Sequence, residues 1–188
     1  NKYSRDRYFL PWREHCEYEA ICEGDDYWLD PLKLQKQVKF LDDNQEYSMC
    51  FHNAYIIDLS KNEKRLFNEY TIEASLSTKE LLKYPWISPT ASFLFRTVVN
   101  PTNIPGANGD MSILFKCANH GLVHYDNSPM SIYRYMTEGS LSSTNSKATI
   151  YRKKICLYKW VNNTTKYKYV LITLPRLLKL YIKLILRR

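Results

Sequence analysis

The stretch Glu23-Gly24-Asp25-Asp26 sets three carboxylates within four positions, directly after the apolar run YEAIC and just before the rings of Tyr27 and Trp28. Carboxylates this crowded repel one another, so the cluster is either an ordinary solvated loop or a cation holder. Mg2+ and Mn2+ are the ions that suit it, because they prefer oxygen ligands and can share them with a diphosphate. A further carboxylate, Asp110 in NGDMS, stands at the start of an expected helix, where it reads as an N-cap. The five cysteines, Cys16, Cys22, Cys50, Cys117 and Cys156, are scattered and odd in number, and His15, His52, His120 and His124 show no ligand spacing. Neither zinc nor a disulfide framework is supported. Cys22 and Cys50 lie in apolar runs and read as small buried hydrophobes, which suits a reducing, cytoplasmic compartment.

These groups need elements to position them. EYEAIC predicts a strand of about five residues that delivers the acids at its end, with Gly24 allowing the turn. LDPLKLQKQVKFLDD predicts a helix over 31–43, with Asp30 as N-cap, Pro31 at the first helical position, and Leu34, Val38 and Leu41 as its apolar face. YSMCFHNAYIIDL predicts one or two core strands closed by KNEKR as a polar turn. Ser77, three residues before Glu80, has capping-box spacing and predicts a helix over 78–84 that Pro85 stops. TASFLFR predicts a buried strand and NPTNIPGANG a loop. A helix follows from about Asp110, with Ile113, Leu114, Cys117 and Ala118 on one face and Gly121 as a left-handed C′ residue. LVHYDNSPMSIYRY predicts two strands joined through DNSP. Alternating strands and helices make an α/β fold with a mixed sheet flanked by helices.

At 188 residues, 45% hydrophobic and with 16 tyrosines, the chain can build one packed core. The net charge of +8 is uneven: residues 151–188 hold eleven Lys or Arg and no Asp or Glu. Residues 1–150 carry 16 basic against 19 acidic side chains, a net of −3, which argues against a nucleic-acid binder. We therefore divide the chain into 1–150 and a basic amphipathic tail, 151–188. The first residue is Asn, and no charged-then-apolar signal region opens the chain.

The block YEAICEGDDYWLDPLKLQKQVKFL resembles the aspartate-rich motif of bacterial family 2 glycosyltransferases of GT-A fold and the helix after it. SPTASFLFR is similar to that family's later core strand, GDMSILFKCANHG to its acceptor-side helix and MSIYRY to its closing strand. The resemblance implies a Rossmann-like GT-A fold and transfer of a sugar, with inversion, from a nucleotide-diphosphate donor to a saccharide or lipid-linked acceptor. Bacterial surface polysaccharide or lipopolysaccharide assembly is the implied setting. It implies Asp26 and Asp25 as ligands of Mn2+ or Mg2+, Glu23 and Asp25 at the donor, and Asp110 as base. Trp28 would wall the site or simply pack, and Arg134 would offer its fork to a diphosphate or pair with Glu138. Two departures stand out. The family's first, nucleotide-gripping half would lie before Asn1, so the chain is expected to be N-terminally incomplete, open at one sheet edge and inactive alone. Met136 stands near a place where the family often has His, and a thioether is a poor ligand for a hard cation.

The segment PRLLKLYIKLILRR aligns Arg176, Lys179, Lys183 and Arg187 on one helical face behind Pro175. It is too short to span a bilayer, which takes about 20 residues. It reads as a core helix or as one lying on an anionic membrane surface at the inner face of the plasma membrane. A rival to the enzyme reading follows: a non-catalytic glycosyltransferase-like remnant that binds a membrane or a partner.

Overall fold

The computed structural model describes residues 12, 13, 15–69, 71, 72, 74–84, 86–99, 104–135 and 145–186. Asn1, Pro85, Met136, Glu138 and Arg187, discussed above, lie outside them, as do positions 100–103 of the expected loop.

The chain forms an α/β domain whose mixed sheet is flanked by helices. Its strands are β1 (Tyr18–Ala20), β2 (Tyr27–Trp28), β3 (Tyr47–Asp58), β4 (Glu63–Leu66), β5 (Ser75–Leu76), β6 (Leu94–Arg96) and β7 (Leu122–Tyr135). The helices are α1 (Lys33–Asp43), α2 (Thr78–Leu81), α3 (Gly109–His120), α4 (Lys147–Thr164) and α5 (Val170–Ile185). Strand order is β1-β6-β3-β7-β2, with β4 added to β3 and β5 to β7. β3 and β7 run parallel, and the other pairs are antiparallel.

Central β3 is buried almost throughout because helices cover both of its faces, which explains its continuous apolar run. Met49 and Phe51 enter the larger core with Phe93, Phe95, Ile113, Leu114, Leu157 and Val161. Cys50, between them, joins Leu41 and Leu94 on the α1 side. The period of two thus splits one strand between two layers.

Several expectations are corrected. β1 has three residues, not five. KNEKR is no mere turn: β4 folds back on β3, pairing Asp58 with Glu63 through Tyr55 with Leu66. TASFLFR starts as a 3-10 turn, Thr90–Ser92, before β6. β7 is one strand rather than two, because a bulge absorbs DNSP: His52 pairs with Asp126 and Asn53 with Pro129. Asn127 holds the bulge by exchanging hydrogen bonds with both backbone groups of Ile72, each 3.0 Å.

Gly121 is not left-handed. Its φ of −170° is extended backbone, and a Cβ there would meet the Glu46 carbonyl at 2.7 Å, so close strand approach is what requires glycine. Cys22 is exposed, since the chain leaves the core after β1, whereas Cys50 is buried. The short helix stands, with Ser77 and Glu80 forming the capping box, although it spans only Thr78–Leu81.

The face of α1 is corrected in part. Leu41 is buried and Val38 packs beside it, as expected, but Leu34 is exposed, and Lys33 and Gln37 are buried as well. Gln37 Nε2 donates to the carbonyls of Cys50 (3.2 Å) and Ser92 (2.9 Å), while its Oε1 accepts from Lys33 Nζ at 2.7 Å. The β3–β6 ladder pairs only Met49 and Cys50, so Gln37 serves carbonyls where regular pairing gives out. Asp30 caps from one turn ahead: its Oδ1 accepts the Leu32 N–H at 2.8 Å. The assigned cap residue, Leu32, makes no side-chain bond.

The basic segment forms two helices. The 150/151 division falls inside α4, which contributes Leu157 and Val161 to the core. α5 begins at Val170, not at Pro175, because Thr173 is buried and donates to Asn162 Oδ1 at 2.6 Å, fixing the turn before the proline against α4. Among the described residues, no helix is long and apolar enough to cross a membrane.

Candidate active site

β1 ends at Ala20, and Asp26 N–H closes the acidic loop on the Glu23 carbonyl at 3.0 Å. β2 then docks on β7, pairing Tyr27 with Ile132 and Trp28 with Ser131. β7 grips the loop at Arg134, whose N–H donates to Asp26 Oδ1 at 3.0 Å and whose Nε donates to the Asp25 carbonyl. The carboxylates are therefore held together by backbone geometry against their own repulsion.

One oxygen from each of Glu23, Asp25 and Asp26 lies within 4.8 Å of the other two. Asp26 is buried, Asp25 half-buried and Glu23 exposed. Asp26 Oδ2 is buried with no hydrogen-bond partner, a costly state for a carboxylate. Burial pushes Asp26 up to about 6 despite the opposing Arg134 N–H. Withdrawal of its carboxyl end from water, then the charges of Asp26, Asp25 and Asp110, push Glu23 up to about 7. The donor set is all oxygen, one oxygen is orphaned, and Glu23 and Asp26 hold protons more readily than usual, so a hard divalent cation fits here.

Asp110 is not the N-cap of α3. That place belongs to Asn108, and Asp110 sits two residues further on, its Oδ1 accepting the Met111 N–H at 2.7 Å. Burial raises its pKa, while Met111 N–H, Trp86 and Lys153 oppose the rise. The Trp86 Nε1–H is buried near this carboxylate without meeting hydrogen-bond geometry. Asp110 and Glu23 line one cleft of about 460 Å3 together with Trp86, Tyr133, Tyr135, Lys153 and Lys154.

The remaining expected residues lie elsewhere. Asp25, Asp26, Arg134 and Trp28 are not in the lining of that cleft. Trp28 is engaged in packing: its Nε1 donates to the Ala91 carbonyl at 2.9 Å, and Lys33 Nζ sits 4.4 Å above its ring. Burial lowers Lys33 to about 8. Trp86 is the tryptophan that lines the cleft, edge-on to Phe67 at 4.7 Å and to Tyr133 at 5.5 Å. Sequence reasoning missed it, along with Tyr133, Tyr135 and the two lysines. The one signal available was the spacing of Tyr133 and Tyr135, two apart on a strand and so on one face.

No family model matches the chain. An uncharacterized protein of Mycobacterium bovis is 42% identical over 89 residues, which is 47% of this chain and 25% of the relative. Uncharacterized proteins of two Mycobacterium tuberculosis strains, CDC 1551 and H37Rv, match to the same extent. The chain thus spans about a quarter of the length of these curated relatives.

Proposed function

We propose that this chain carries the catalytic carboxylates of a metal-dependent, inverting glycosyltransferase of GT-A type, which moves a sugar from a nucleotide-diphosphate donor to an acceptor hydroxyl. The observation that carries this reading is the backbone-pinned trio Glu23, Asp25 and Asp26, with an orphaned buried oxygen on Asp26, beside a cleft that also holds Asp110. The motif resemblance adds the reaction class.

Asp26 and Asp25 would hold the cation, and Glu23 would stand beside it at the cleft. A bound Mn2+ or Mg2+ supplies charge neutralisation for the departing diphosphate. Arg134 keeps both aspartates in register through the two bonds described above. Asp110 removes the proton from the acceptor hydroxyl. As that oxygen bonds to the anomeric carbon, the bond from carbon to phosphate oxygen breaks, and its electron pair leaves with the nucleoside diphosphate. The raised proton affinity of Asp110 suits a base, since a more basic carboxylate accepts a proton more readily. Attack opposite the leaving group inverts the anomeric configuration.

The test is a Mn2+ titration followed by electron paramagnetic resonance, with and without UDP, GDP or dTDP. Mn2+ should bind, more tightly with one of the diphosphates, and Asp26→Asn should remove the binding. Equal Mn2+ binding by wild type and Asp26→Asn would overturn the reading and favour the non-catalytic alternative.

A further inference from the structure

Helix α5 packs on the body through Thr173 and Leu177, yet it leaves much of its apolar surface in water. Leu171 (87% exposed), Leu174, Leu178, Ile182 and Ile185 (68%) recur at spacings of three and four, with Tyr181 at the edge. That spacing makes one stripe, on the order of 100° wide. An exposed apolar stripe on an otherwise packed domain marks a contact surface.

The rim of the stripe is basic. Lys159 of α4 lies 5.8 Å from the Tyr181 ring on one edge, and exposed Lys179 follows the other. The turn between the helices adds Lys166, Tyr167 and Lys168, of which Tyr167 is an exposed aromatic suited to a headgroup layer. No acidic residue occurs anywhere in 151–188. The expected alignment of four cations toward headgroups is corrected here. Arg176 turns inward to donate to the Leu82 carbonyl, and Lys183 sits 5.4 Å over the Tyr151 ring. Leucines, not cations, occupy the middle of the outward face.

We infer that α5 docks on an anionic lipid surface, with the stripe from Leu171 to Ile185 entering the acyl boundary and Lys159, Lys179 and the 166–168 turn meeting the headgroups. Charge selects this occupant. A second copy laid on the same stripe would bring two basic rims together, a like-charge contact that opposes pairing, whereas an anionic bilayer answers apolar centre and basic rim at once. α5 packs on α4, which lines the cleft with Lys153, Lys154 and Leu157, so the cleft stays with the domain on docking. Its value for a lipid-linked acceptor rests on the glycosyltransferase reading; the docking itself does not.

Co-sedimentation of the chain with phosphatidylcholine vesicles, with and without phosphatidylglycerol, tests the inference. Binding should require the anionic lipid and weaken as salt rises. Leu174→Asp with Leu178→Asp should weaken it by roughly tenfold or more. As a measurement on the unperturbed fold, Leu178→Trp should shift its emission to the blue only with anionic vesicles. Absence of binding, equal binding to neutral vesicles, unchanged binding by the double variant, or a dimer in sedimentation equilibrium that Leu178→Asp dissolves would each overturn it. Failure of Mn2+ binding alongside intact vesicle binding would sink the catalytic reading and leave this one standing.

Discussion

The acidic loop and the basic helix pair are both regions of one-signed charge, and they manage it in opposite ways. In the loop, the Arg134 N–H and guanidinium hold Asp26 and Asp25, the Asp26 N–H holds the Glu23 carbonyl, and one oxygen of Asp26 is buried without a partner. In α4 and α5 the cations spread along two helices, several of them exposed, with Arg176 bonded to the Leu82 carbonyl and Lys183 over the Tyr151 ring. A concentrated, pinned charge acts at a point, and each atom in it matters. A dispersed, solvated charge acts as a sum, and each member counts for little.

The largest effect should therefore come from the most constrained atom. Asp26→Asn keeps an acceptor for the Arg134 N–H but removes the ionised oxygen, and on the proposed reading it should abolish sugar transfer, measured as nucleoside diphosphate release. Retained transfer with unaltered metal dependence would break the contrast. Next, Asp110→Asn should lower the transfer rate by roughly 10² to 10⁴, the usual contribution of a general base, while leaving donor binding in place. Equal loss of both would identify Asp110 as a structural residue of α3.

A smaller effect follows from the raised carboxylates of the loop. Their folded pKa values, about 7 for Glu23 and about 6 for Asp26, lie above the ordinary values of 4.5 and 3.8. The unfolded chain therefore ionises first as pH rises, and the metal-free protein loses stability across the window from about pH 4 to about pH 7. A cation held by the ionised loop, as proposed, would reverse that loss, so the rise in melting temperature on adding Mn2+ should grow from pH 5 to pH 8. At a hundredfold excess over Kd the increment at pH 8 should be roughly 5 °C or more. An increment that does not change with pH would show that these carboxylates do not hold the ion. The smallest effect belongs to the helix pair: Lys179→Gln should weaken binding to anionic vesicles only about fivefold, matching roughly 1 kcal/mol per lysine. A loss as complete as that of a loop aspartate would mean that the basic charge, too, acts at a point.

What could be read in the sequence follows the same division between local and distant causes. The capping box of Ser77 and Glu80, the helix after Asp30 and the helix around Asp110 were legible because neighbours within one turn cause them. The acidic loop was legible because its members are adjacent. The burial of Gln37 on α1 was not, since that side chain is drawn inward by carbonyls at Cys50 and Ser92, 13 and 55 positions away. Two-residue β2 carries no periodicity, and charged β4 looks like the turn it nearly is. Gly121 was misread because its reason is the Glu46 carbonyl across the strand pair rather than its own φ. The cleft was least visible, because Glu23, Trp86, Asp110, Tyr133 and Lys153 reach it from five separate segments.

The parallel pairing of β3 with β7 bears on how the acidic loop comes by its shape. Tyr47 meets Leu122 and Asp58 meets Tyr135, partners 75 and 77 positions apart. Contacts this remote in sequence form slowly, because the intervening chain must lose its freedom before they repay it. Arg134, which holds Asp25 and Asp26, sits one residue from the far end of that ladder. The acidic loop therefore gains its geometry only once the strands have zipped to their ends, after the helices that depend on near neighbours. Helices formed without this ladder would leave the acidic loop ungripped, and a peptide cut from residues 15–43 would carry the motif without the hold of Arg134.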